Sequence, residues 1–92
     1  PRPIDPADRQ RLTRTLAREL APQVRVNGVS PGAILWPEYE GGMSESEQQG
    51  TLDRTCLGRL GTPEDIAGTV LFLTQATYVT GQIIRVDGGA LA

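Results

Sequence analysis

Val24-Arg25-Val26-Asn27-Gly28-Val29-Ser30-Pro31-Gly32 is the stretch on which the fold turns. Val24 and Val26 alternate with polar neighbours, as a strand requires, before a glycine intrudes. The run predicts a short strand over 24–29, with Gly28 marking a close backbone approach and Ser30-Pro31-Gly32 ending it. A second β-branched run, Gln82-Ile83-Ile84-Arg85-Val86, is closed by Asp87-Gly88-Gly89, read as a turn whose glycines suit positive φ. Between the two, Thr62-Pro63-Glu64-Asp65 opens a helix: threonine as cap, proline at the first helical position, acids at the positive end of the dipole. Ile66, Ala67, Val70, Leu71 and Leu73 give that helix a broad apolar face to about Gln75 or Ala76. A strand, a helical crossover and a strand imply a parallel pair with a right-handed connection.

Working outward, residues 1–5 carry two prolines and read as irregular. Asp5-Pro6-Ala7-Asp8 then starts a helix for the same reasons as Thr62-Pro63. Leu12, Leu16 and Leu20 recur every four residues with Ala17 beside them, while Arg9, Arg11, Arg14 and Arg18 fall largely off that stripe. This is an amphipathic helix, and it should stop at Ala21 because Pro22 disfavours a helical residue before it. Residues 33–43, Ala-Ile-Leu-Trp-Pro-Glu-Tyr-Glu-Gly-Gly-Met, hold the one tryptophan between chain breakers and fit no periodicity. A loop so rich in large apolar groups reads as functional. Ser44-Glu45-Ser46-Glu47 resembles a capping box opening a short helix to about Thr55, expected to be exposed and mobile because Leu52 is nearly its only apolar residue. The order is helix, strand, loop with short helix, helix, strand: an α/β chain. Parallel sheets are normally wider than two strands and covered on both faces, so this reads as part of a larger sheet.

The chain has 92 residues, one cysteine, no histidine and no lysine, all nine of its basic residues being arginine. A Ser-His-Asp or Cys-His unit, a Schiff-base lysine and a phosphate-loop lysine are therefore absent from it. So is His-ligated zinc, and a lone thiol makes no thiolate metal site. A net charge of −2 with a pI near 5.0 argues against nucleic acid as the main partner. No run approaches the roughly 20 apolar residues of a membrane span, and no charged-then-apolar leader opens the sequence. Cys56, with no partner for an internal disulfide and no base beside it, reads as an inert thiol in a reducing compartment, and the cytoplasm is the expected location.

Four phrases carry a resemblance. They are Leu-Thr-Arg-Thr-Leu-Ala-Arg-Glu-Leu-Ala-Pro (12–22), Val-Arg-Val-Asn-Gly-Val-Ser-Pro-Gly (24–32), Gly-Arg-Leu-Gly-Thr-Pro-Glu-Asp-Ile-Ala (58–67) and Tyr-Val-Thr-Gly-Gln-Ile-Ile-Arg-Val-Asp-Gly-Gly (78–89). In this order and spacing they resemble the C-terminal part of a short-chain dehydrogenase/reductase. Within that family Pro-Gly-Ala-Ile-Leu-Trp-Pro (31–37) is most similar to bacterial pteridine reductases. The organisation implied is a family-like segment over 12–92 preceded by an unrelated one over 1–11. The fold implied is the C-terminal portion of a doubly wound, Rossmann-type parallel sheet whose last two strands are the two read above. Cytoplasmic hydride transfer with NADP(H) or NAD(H) is implied too.

The resemblance also assigns residues. Pro31, Gly32, Ala33 and Ile34 would contact the nicotinamide carboxamide through the backbone, at the carboxyl end of a parallel strand where ligands of such sheets bind. Leu35, Trp36, Pro37 and Tyr39 would form a wall for a flat, pterin-like ring. Trp36 stands where the family often has a threonine holding phosphate, and Glu38 and Glu40 read as a solvated rim. The family's catalytic Tyr-x-x-x-Lys would fall on Arg2 and Pro6, and its Gly-rich cofactor turn is not in this sequence, so no catalytic residue is assigned. The helix from Pro6 and the strand over 82–86 resemble family elements that build oligomer interfaces. A homo-oligomer, or pairing with an N-terminal part, is the partner expectation. The alternative to a partial oxidoreductase is a non-catalytic fragment or self-associating module.

Overall fold

The computed structural model describes residues 5–34 and 42–90. Helix α1 spans Pro6–Leu20, strand β1 Gly28–Pro31, helix α2 Glu45–Asp53, helix α3 Pro63–Gln75 and strand β2 Ile83–Val86. The element order is the one read from the sequence. Asp5 caps α1 by accepting from the Asp8 amide at 2.9 Å. The helix ends at Leu20 with Ala21 as its C-cap in extended conformation, which is what Pro22 imposes.

The strands pair in parallel, with Gly28 opposite Ile83 and Pro31 opposite Val86. The predicted strand over 24–29 is corrected: it begins at Gly28 and runs through Ser30 to Pro31. Residues 25–27 are instead committed to the connection between α3 and β2. Val26 donates to Thr80 Oγ1 at 3.0 Å and its carbonyl takes the Gly81 amide at 2.7 Å. Asn27 Nδ2 donates to the Val79 carbonyl while its Oδ1 accepts from the Gln82 amide. Gly28 opens the strand opposite Ile83, whose Cγ1 lies 3.4 Å from where a Cβ would stand, an ordinary packing distance.

The amides of Gly28 and Gly32 donate to the carbonyls of Gln82 and Val86 at 2.8 and 2.9 Å. Strand alternation then turns Val29 and Pro31 to the other side, so the residue without an N–H sits where β2 asks nothing of it.

The apolar surface is only partly covered. Among the described residues Ala17 and Leu73 are the buried hydrophobics. The stripe Leu12, Leu16 and Leu20 stays 52%, 36% and 42% exposed, and Leu71 and Phe72 of α3 are more than half exposed. The radius of gyration is 15.8 Å, against about 12 Å for a close-packed domain of this length. Two strands with one helix packed directly on them do not close a core.

Candidate functional site

Both strands end at one edge, where a cleft of about 250 Å³ is bordered by Ala33, Gly61, Thr69, Val86 and Asp87. This is the carboxyl edge of a parallel sheet, the side on which such folds bind ligands. Pro31, Gly32, Ala33 and Ile34 lie here in sequence: Pro31 is the last strand residue and the other three lead away from it. Leu35, Trp36, Pro37 and Tyr39, with Glu38 and Glu40, lie outside the described residues.

Two close approaches fix the 32–34 segment. A Cβ on Gly32 would stand 2.7 Å from both the Cα and Cβ of Asp87, so the two strand ends meet backbone to backbone. On the other side the Gly61 amide donates to the Ala33 carbonyl at 3.0 Å. Asp87 in turn accepts from the Gly89 amide through Oδ1 at 3.0 Å, closing the turn read in the sequence, with Gly88 and Gly89 at φ 62° and 84°. The strand before that turn starts at Ile83, one residue later than read.

The turn is backed by the residues that follow the short helix. Leu57 donates to the Gly88 carbonyl at 3.0 Å, and Cys56 Sγ lies 3.3 Å from the Gly89 carbonyl it donates to. The exposed thiol thus has a backbone partner rather than a base. Helix α2 itself buries no residue, as its composition implied, and ends at Asp53 rather than Thr55. Its capping box is half formed: Ser44 Oγ accepts from the Glu47 amide, but Glu47 Oε1 takes the Ser44 hydroxyl instead of the backbone N–H. Helix α3 carries the complete version, Thr62 Oγ1 accepting from the Asp65 amide and Asp65 Oδ2 from the Thr62 amide.

Asp65 Oδ2 also pairs with Arg59 at 3.2 Å. The Thr62 amide, then Arg59, then the Thr62 hydroxyl hold the Asp65 carboxyl below its ordinary pKa of 3.8. A lowered folded-state pKa stabilises above the ordinary value and is lost as pH falls through 3.8 and below. Asp65→Ala is therefore expected to melt earlier than the parent at neutral pH, with the gap closing in acid below 3.8. Thermal melts by circular dichroism check this, and a gap independent of pH would contradict it.

Gly61, Asp87 and Arg59 were not singled out in the sequence as parts of the site. Arg59-Leu60-Gly61 directly ahead of the Thr62 cap was the available signal: a glycine fixed by a helix start can serve as a backbone buttress. Among the described residues no cluster of His, Cys, Asp or Glu could hold a metal ion. No helix among them is long and apolar enough to cross a membrane.

Residues 7–90 match the family described as enoyl-(acyl carrier protein) reductase. The chain belongs to the short-chain dehydrogenase/reductase family. A 3-oxoacyl-[acyl-carrier-protein] reductase FabG from Thermotoga maritima is 46% identical over 81 residues, which is 85% of this chain and 32% of the relative. The 7alpha-hydroxysteroid dehydrogenase of Escherichia coli is 41% identical over 83 residues, covering 87% of this chain and 32% of that protein. A crystal structure of a short-chain dehydrogenase from Leptospira borgpetersenii with bound NAD+ superposes with a TM-score of 0.82 at 40% identity, covering 94% of this chain and 33% of that one. A small-chain dehydrogenase in complex with NADPH gives 0.76 at 42% identity, covering 92% of this chain and 40% of that one. The chain spans about a third of the length of these short-chain dehydrogenase/reductase relatives.

Proposed function

We propose that this chain supplies the nicotinamide-side edge of a short-chain dehydrogenase/reductase that moves hydride to or from NADP(H) or NAD(H). The observation that carries the reading is the junction of Pro31-Gly32-Ala33-Ile34 with Asp87 and Gly61 at the carboxyl edge of the sheet. The cofactor supplies the hydride. Residues 32–34, held by Asp87 on one side and Gly61 on the other, would offer its ring a fixed backbone surface. The fit is to the nicotinamide end alone, since the Gly-rich turn that would seat a pyrophosphate is not in this sequence. With two tyrosines, no lysine, Met43 four residues after Tyr39 and Gln82 four after Tyr78, the chain does not itself carry a Tyr-x-x-x-Lys proton donor.

Two substrate readings are distinguishable. The loop 31–37 favours a pterin-like ring stacked on Leu35, Trp36, Pro37 and Tyr39. The names of the oxoacyl reductase and hydroxysteroid dehydrogenase relatives favour a ketone or secondary alcohol. The exposed stripes of α1 and α3 support a further part of the reading: that these faces are covered in a homo-oligomer or by an N-terminal part. The cytoplasm is the compartment proposed.

Titration of NADPH and NADH into the chain, followed by amide NMR, should shift Gly32, Ala33 and Ile34 first; an unmoved 32–34 segment would refute the cofactor reading. NADPH oxidation by the chain alone is expected to be undetectable with either dihydrobiopterin or an acetoacetyl thioester. Quenching of the single tryptophan by one of those two and not the other decides the substrate class.

A further inference from the structure

We infer that Gly61 is a positioning residue that sets where the Ile34 side chain points, and through it the cofactor-facing segment; this rests on the cofactor reading of residues 31–34. Glycine at 61 is not required by the backbone, because its φ is not in the left-handed region, unlike that of Gly58 at 67°. What Gly61 supplies is room. A Cβ there would stand 2.7 Å from Ile34 Cδ1, whereas a Cβ on Gly58 would meet nothing within 4 Å. The same residue grips the neighbouring backbone through its amide on the Ala33 carbonyl. Gly61 thus touches two consecutive residues of the segment, one by a hydrogen bond and one by the missing side chain.

The support behind Gly61 is stiff. Thr62, the next residue, caps α3 and donates to Asp65 Oδ2 at 2.8 Å. Arg59 Nη1 donates to the carbonyl of the next residue, Leu60, at 2.8 Å and to Asp65 Oδ2 at 3.2 Å. When a methyl group is added at 61, the capping box resists displacement and the half-buried Ile34, with a free δ1 end, gives way. The substitution therefore turns Ile34 while leaving the fold in place. Turning Ile34 off its rotamer alters the surface presented to the cofactor ring, and the effect expected on affinity is roughly three- to tenfold.

The experiment compares Gly61→Ala with Gly68→Ala, a control inside α3 where a Cβ meets nothing within 4 Å. In Gly61→Ala the Ile34 δ1 methyl resonance should move without any cofactor, far-UV circular dichroism should stay unchanged, and NADPH should bind roughly three- to tenfold more weakly by the Ala33 and Ile34 amides. Ile34→Val, which lacks the clashing δ1 methyl, serves as its own reference: adding Gly61→Ala to it should leave its NADPH affinity unchanged. Failure of the single variant to fold, with the double variant folding, also supports the contact. An unmoved Ile34 methyl in folded Gly61→Ala overturns the inference, as does a Gly61→Ala loss of affinity that is as large in the Ile34→Val background as in the parent. If the parent amides do not respond to NADPH, the cofactor reading fails, and the methyl arm alone still decides whether Gly61 places Ile34.

Discussion

Gly32→Ala is expected to lower the stability of the chain by about 2–4 kcal/mol, enough to leave a domain this small largely unfolded at ambient temperature. The added Cβ would sit 2.7 Å from both Cα and Cβ of Asp87. Neither atom is the free end of a side chain, so relief means parting the strand ends and giving up the bond from the Gly32 amide to the Val86 carbonyl. Gly61→Ala, whose clash falls on a flexible methyl, should cost far less. Urea unfolding followed by circular dichroism measures both. A Gly32→Ala midpoint within error of the parent would show that the strand ends are not in backbone contact.

The second large effect is expected at Arg25. Its guanidinium donates to the carbonyls of Leu73, Ala76 and Val79 through Nη1 at 2.8, 2.9 and 3.2 Å, and to Thr74 through Nη2 at 3.1 Å. Three of these oxygens belong to the end of α3 or its cap, where four carbonyls lack helical partners and the dipole favours a cation. Arg25→Ala exposes them all at once and is expected to destabilise by about 2–4 kcal/mol, a fall in Tm of roughly 10–20 °C. Arg25→Lys should recover only part of this, because a single ammonium cannot reproduce the planar fork. Equal melting of Arg25→Lys and the parent would show that charge alone, and not the fork, caps the helix.

Arg25 also explains why the sequence misplaced the first strand. Val24 and Val26 look like strand residues because they are β-branched and alternate, yet the hydrogen-bonding groups of 25–27 serve the connection that leads into β2. Alternation reports which side chains share a face, not which backbone groups form the ladder. The glycine that looked like an interruption is where pairing begins, opposite Ile83. Helix starts were legible to the residue, since caps act over three positions and need no tertiary partner. The stripe Leu12, Leu16 and Leu20 was legible as apolar but not as half-exposed, since what covers it is not written in the stripe itself.

At the site, the placement of 31–34 followed from the turn ending the strand and from the family phrase. The buttresses did not. Gly61 and Asp87 reach the segment from 27 and 53 positions beyond Ile34; the parallel pairing brings Asp87 there, and the loop before α3 brings Gly61. The wall residues Leu35, Trp36, Pro37 and Tyr39 fall outside the described residues, and their role stands as a proposal.

Pro31 carries a consequence for any polypeptide laid along the outer flank of β1. Such a neighbour can zip onto the main chain at Val29, but two residues further, at Pro31, it meets a ring nitrogen with no hydrogen to donate. The ladder on that flank lacks one donor just ahead of Gly32, at the edge where the 32–34 segment begins.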